Sequence, residues 1–267
     1  MLATLLDRSE GTALPLSASL RERYGGDLRF PTDRTHVFAN FVSSIDGVVS
    51  FARPGQAQAG LISGGNPADR FVLALLRAAA DAVVVGAGTL RQERNSIWTA
   101  EHVFPDLARD FADLRVAMRK PARPPTIFVT ASGELDLTAP ALAEGAPVAI
   151  LTTANGEERL GSVPGHVRVR ALADLSARAI VRAAGEESGG RLILTEGGPT
   201  LLGSFLREGV LDELFLTIAP RIAGRSREER RLALVEGAAF APADAPERRV
   251  VGVKAAGNYL FLRFARN

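Results

Sequence analysis

Gly86-Ala87-Gly88-Thr89 and Thr195-Glu196-Gly197-Gly198-Pro199-Thr200 are the two stretches of this chain best suited to hold a phosphate. Each puts glycines where a run of aliphatic residues ends, and each carries a hydroxyl residue just beyond. Glycine lets a ligand reach the backbone, and the unpaired N–H groups that open a helix attract negative charge. Taken alone, the first reads equally well as a tight turn, and the second can also be a glycine turn with a Pro-started helix. Two of them in one α/β sheet are better explained by a single ligand spanning both, because such ligands gather beyond the carboxyl ends of the strands. Neither is the G-x-G-x-x-G dinucleotide fingerprint, since Arg91 stands at the third glycine position.

Two carboxylates invite a chemical reading. Asp69 follows Asn66 by three residues, where an acidic side chain favours a helix N-terminus. It also stands at the mouth of the helix after a glycine-rich loop, where a carboxylate can hold a nitrogen heterocycle by paired hydrogen bonds. Asp46, in Ser43-Ser44-Ile45-Asp46-Gly47, is either part of a capped Asp-Gly turn or a group at a strand end that contacts a cofactor amide.

Composition removes several alternatives. With no Cys there is no disulfide, thiolate nucleophile or Cys-bound metal, and His36, His102 and His166 are too scattered for a His-rich site. No metal is expected. A formal net charge of +2 calls for neither nucleic acid nor an anionic membrane. No apolar run reaches the roughly 18–20 residues of a membrane-spanning helix, and Met1 to Asp7 lacks the pattern of a secretory signal. A cytoplasmic location is the expectation.

The elements that must position these residues follow a regular order. His36 to Val42 reads as a strand, and 43–65 as a long loop over a site. Asn66-Pro67 opens a helix with Phe71, Val72, Leu75, Leu76 and Ala79 on one face. Continuous apolar runs at 82–85, 126–130, 148–152, 192–195 and 214–219 suit strands buried on both faces, with helical stretches at 172–184 and 199–207 between them. Residues 249–254 and 259–264 read as a closing antiparallel hairpin. Residues 1–34 read as an N-terminal extension that packs on, or leads into, one domain over 35–267. Phe104, Leu107, Phe111, Leu114 and Met118 form an amphipathic stripe that packs on its own domain, or serves as a lid or subunit contact.

Three segments together resemble a known family. They are Ala39 to Gly47, Leu76 to Thr89, and Ile193 to Gly203 with its Glu-Gly-Gly-Pro-Thr core; Leu211 to Leu214, leading into Ile218-Ala219-Pro220, completes the series. The chain resembles the RibD C-terminal pyrimidine reductases, the reductase domain of the bifunctional deaminase–reductases of riboflavin synthesis. The resemblance implies a dihydrofolate-reductase-like α/β fold, NADPH as hydride donor, a heterocyclic small-molecule substrate and a homodimer. It places Gly86, Gly88, Thr89, Glu196, Gly197, Gly198, Thr200 and Leu201 along the cofactor, joined by Asn40 and Ser44. Thr130, Ser132 and Thr153 would sit near the adenosine half. Asp69 and Asp46 become the candidate catalytic carboxylates. Hydride transfer is mostly positioning, which agrees with a chain that lacks an evident nucleophile.

Two departures lie on the substrate side. The family usually follows its Gly-x-x-Thr turn with Asp-x-Pro-x-Leu-x-x-Arg, which helps bind a ribose phosphate, whereas here Arg91-Gln92-Glu93-Arg94-Asn95-Ser96-Ile97-Trp98 occupies that place. Arg91 and Arg94 are the expected substitutes, with Ser63 and Asn66 completing the substrate contacts. The Trp that often begins the loop before the helix is missing from Leu61 to Gly65. Deamination, which needs a Pro-Cys-x-x-Cys zinc site, is excluded for a chain without Cys. Three activities follow: reduction of the ribosylaminopyrimidine phosphate, reduction of a pterin or dihydrofolate, or non-catalytic NADPH binding.

Overall fold

The apolar runs assemble side by side. In the computed structural model, which describes residues 1–53, 55–143, 145 and 147–267, ten strands form the main sheet. They are β1 (Ala3–Asp7), β2 (His36–Ser43), β3 (Ala82–Gly86), β4 (Thr126–Val129), β5 (Val148–Thr152), β6 (Arg168–Ala171), β7 (Leu192–Thr195), β8 (Glu213–Ile218), β9 (Arg248–Ala256) and β10 (Tyr259–Arg266). Their order is β1-β9-β10-β8-β2-β7-β3-β4-β5-β6. From β8 to β6 all neighbours run parallel, whereas β10, β9 and β1 add an antiparallel edge. Val83, Val84, Val85, Ile127, Phe128, Ile150 and Leu151 are wholly buried, because helices cover both faces.

The helix Pro67–Ala79 forms as its sequence dictates. Asn66 Oδ1 accepts from the N–H groups of Ala68 and Asp69 at 2.9 and 3.2 Å, and Pro67 takes the first turn. Its last carbonyls are met by Arg115, which donates to Ala78 and Ala80, and by Lys120, which donates to Ala79. Phe104, Phe111 and Leu114 pack against this helix in the main core, with Leu107 and Met118 partly buried beside them. The Phe71 and Phe104 rings lie 6.0 Å apart. The stripe is therefore core, and its apolar face is used up inside the chain.

Residues 1–34 are tied in more deeply than an appendage. β1 pairs antiparallel with β9, and Leu20, Leu28 and Phe30 are buried in the main core. The segment 43–65 is not a single loop: it holds a strand, Val48–Ser50, and a helix, Gln58–Ser63. The helix expected at 172–184 spans Ala177–Ser188, because Ser176 caps it by accepting from the Ala179 N–H. No helix among the described residues is long and apolar enough to cross a membrane.

Candidate functional site

The two glycine turns come together. β7 lies beside β3, pairing Thr195 with Val84, so Gly86 and Gly198 leave the sheet next to one another. This is also where the chain changes direction: β3 leads outward to β4, whereas β7 leads back across β2 to β8. A Cβ on Gly86 would lie 3.8 Å from the Gly198 N atom, and one on Gly198 would lie 3.2 Å from Thr89 Oγ1. A side chain on Gly198 would press on Thr89, and one on Gly86 would reach into the space between the turns. The missing Cβ atoms thus leave a cradle where the helices Ala87–Gln92 and Pro199–Arg207 begin.

That cradle opens into a cleft of about 1140 Å³. Gly86, Gly88, Thr89, Thr130, Ser132, Gly198, Thr200 and Leu201 line it, as does Arg91. Arg91 donates through Nη1 to the Glu134 carbonyl at 3.2 Å. A smaller hollow of about 120 Å³ adjoins the cleft, and Thr89, Gln92, Gly198 and Pro199 line both. Asn40, Asp69 and Glu196 face this second space, with Gln58, Arg77, Glu93 and Trp98.

The hollow is acidic and partly enclosed by buried side chains. Burial pushes the Asp69 carboxyl up to about 6, partly offset by the Thr217 and Ser63 hydroxyls that face it. Because Asn66 already caps the helix, the Asp69 side chain is free to turn inward. Glu93 is also raised by burial, against the Gln58 N–H and the Arg77 charge. Its Oε1 accepts from the Gln58 N–H at 2.8 Å. Glu196 is held by Arg77 through two bonds of 2.8 and 2.6 Å.

Other sequence-predicted residues stand apart from both hollows or support them. Asp46 is exposed and accepts from the backbone N–H groups of Ala223 and Gly224 at 2.9 and 2.7 Å, and from the Ser44 hydroxyl at 2.7 Å. These bonds, led by that from Ala223, hold it at about 2. Asp46 and Ser44 thus lock a turn. Thr153 caps the helix Ala154–Leu160, accepting from the Gly156 N–H. Gly197 is packed rather than open, since a Cβ there would strike Leu201 at 2.2 Å. Arg94 is spent at the surface on Asp136 and Thr138.

Sequence reading passed over Arg77, Glu93, Gln58, Trp98 and Thr217. Gln58 Oε1 accepts from Ser50 Oγ and from the Phe51 and Arg53 N–H groups, which pins the 50–53 segment above the hollow. A signal existed for two of them: Arg77 stands two turns after Asp69 on the same helix face, and Glu93 stands in the stretch that departs from the family pattern.

The family description "RibD C-terminal domain" matches residues 35–257. A riboflavin biosynthesis protein RibD from Mycobacterium tuberculosis is 31% identical over 193 residues, which cover 72% of this chain and 44% of that protein. The chain therefore spans less than half the length of that relative. Among solved structures, a diaminohydroxyphosphoribosylaminopyrimidine deaminase/5-amino-6-(5-phosphoribosylamino)uracil reductase from Thermotoga maritima superposes with a TM-score of 0.65 at 21% identity, covering 88% of this chain and 57% of that one. A pyrimidine reductase-like protein from Corynebacterium diphtheriae gives 0.66 at 22% identity, covering 87% and 92%. At those identities the structural likeness is one of fold. The motifs, the parallel sheet with its antiparallel edge and the matched span agree, and the chain belongs to the RibD C-terminal domain family.

Proposed function

We propose that this chain is an NADPH-dependent reductase that acts on 5-amino-6-(5-phosphoribosylamino)uracil, as a step of riboflavin biosynthesis. The observation that carries the reading is the junction of the two hollows at Thr89 and Gly198. One is an open cleft edged by glycines, hydroxyls and Arg91; the other is a buried space with a titratable acid. The names of the relatives supply the substrate.

The cleft fits a dinucleotide because the Gly86 and Gly198 turns keep clear the space a phosphate needs. Gly198, Thr200, Gly88 and Thr89 would hold the phosphates, and Thr130 and Ser132 the adenosine half. Arg91 would meet the 2′-phosphate, for which a planar guanidinium is well suited. When bound, NADPH supplies a hydride at the mouth of the hollow. Asn40 and Gln92 orient the heterocycle there, and Trp98 and Leu73 exclude water. Asp69 holds the proton that must accompany the hydride, and burial keeps that proton on its carboxyl up to about pH 6. A homodimer in the cytoplasm is part of the same reading.

One observation favours a second substrate. Among the described residues lining the hollow, Arg77 is the one cation and Glu196 already occupies it. A phosphate-free pterin would fit this acidic space without a cationic partner. The experiment offers both substrates to the protein and follows cofactor oxidation. Turnover of the ribosylaminopyrimidine phosphate supports the first reading, and turnover of the pterin alone supports the second. Cofactor binding with no oxidation by either would sink both and leave a binding protein.

A further inference from the structure

Arg77 lies within the helix Pro67–Ala79 and is only 5% exposed. All three nitrogens of its guanidinium are engaged. Nε and Nη2 donate to the two Glu196 oxygens at 2.8 and 2.6 Å. Nη1 donates to the carbonyls of Ile97 and Thr99 at 3.2 and 3.4 Å.

Both partners border the hollow, but one of them continues into the cleft. Glu196 leads directly into Gly197-Gly198, the turn that forms one bank of the large cleft, and its N–H is fixed on the Val84 carbonyl. Ile97 and Thr99 flank Trp98, which walls the small hollow and packs edge-on against Phe128 at 5.5 Å. One rigid fork therefore spans the cleft turn and the hollow wall. A buried ion pair adds little net stability, because desolvation offsets most of the attraction. What a bidentate pair does supply is direction: the guanidinium is planar, so Glu196 cannot shift without turning the group that holds the 97–99 carbonyls.

We propose that Arg77 is a positioning residue that couples the two halves of the site, so that filling the hollow tightens cofactor binding at the Gly198 turn. Coupling of this kind is reciprocal: the cofactor must tighten the ligand in the hollow by the same factor. The inference rests on the cleft being the NADPH site and the hollow the pyrimidine site.

The test measures NADPH affinity by fluorescence titration, with and without saturating 5-amino-6-(5-phosphoribitylamino)uracil. This reduced product cannot accept a hydride, so the ternary complex is stable. The expected wild-type result is a tightening of about fivefold or more, the lower end of usual coupling strengths. In Arg77→Met, which keeps the buried stem and loses the fork, the factor falls to within twofold of one. Arg77→Lys, which keeps the charge without the planar fork, behaves in the same way and serves if the Met variant fails to fold. A purely structural role would weaken both ligands equally and leave the ratio untouched. Wild type that binds neither ligand overturns the functional reading and the coupling with it. Wild type that binds both without mutual effect, or variants that retain the wild-type factor, overturn the coupling alone.

Discussion

Replacing Asp69 with Asn should make the protein more stable and less active, and the size of the first effect follows from burial. An ordinary aspartate ionises near 3.8, and Asp69 does so at about 6. Ionising it inside the fold is therefore costlier than in the unfolded chain by about 3 kcal/mol. The sign follows from proton binding: the folded state holds this proton more tightly, so stability falls as pH rises from about 4 to about 6 and the full cost persists above. Asn carries no charge, fills the same volume and still meets the Ser63 and Thr217 hydroxyls. At pH 8 Asp69→Asn is expected to gain up to about 3 kcal/mol over wild type, with a gain near zero at pH 4. Melting curves at several pH values read this out at about 2 °C per kcal/mol for a chain of this length. Losing the proton and its contact should lower kcat/KM about ten- to a hundredfold, with NADPH affinity within twofold of wild type. The wild-type rate should fall as pH rises through about 6. A variant that is less stable at pH 8, or a stability difference that ignores pH, would refute the claim that Asp69 is an unpaired desolvated acid. Unchanged turnover would refute its contact with substrate.

Gly198→Val should fold, because its φ of −56° and ψ of 173° suit any residue, yet lose NADPH by about tenfold or more. The added branch enters the gap beside Thr89; unaltered affinity in the folded variant would remove the cradle from the phosphate site. Arg91→Ala should weaken NADPH and leave NADH unchanged, and an equal loss for both cofactors would rule out a 2′-phosphate contact. Phe111→Ala should cost about 3–5 kcal/mol in denaturant titration, because the ring is buried beneath the helix Pro67–Ala79; a cost below 1 kcal/mol would return the stripe to the surface. Light scattering should give a dimer mass at micromolar protein, and a monomer mass would refute the homodimer.

Legibility in the sequence followed the strength of local signals. The helix Pro199–Arg207 was placed to the residue, because a proline starts it and two glycines end the strand before it. β6, with Arg168 and Arg170 at an exposed sheet edge, carries neither a buried run nor a clean alternation. The helix Ala154–Leu160, with Asn155, Gly156, Glu157, Glu158 and Arg159, has no apolar face to reveal it. The glycine bank of the large cleft was readable because glycine turns announce themselves within a few residues. The small hollow was not, since Arg77 and Glu196 meet from 119 residues apart and Gln58 and Glu93 from 35. Asp46 looked like a site residue because an aspartate that ties a turn and one that binds a ligand are the same letter at a strand end.

The pairing of β1 with β9 joins segments about 250 residues apart and so bears on the order of assembly. Ala3 is matched to Ala255 and Asp7 to Gly252, so β1 has no partner until residues 252–255 have been made. Leu2, Leu20 and Phe30 meanwhile stay without the core that buries them. β1 and these side chains therefore reach their native contacts late, once the strands of the sheet's antiparallel edge are available. A chain started at residue 35, where the family match begins, would leave β9 as a bare edge ready to pair with another copy. In the folded protein β1 covers that edge, and residues 1–34 thereby stand between β9 and a second copy.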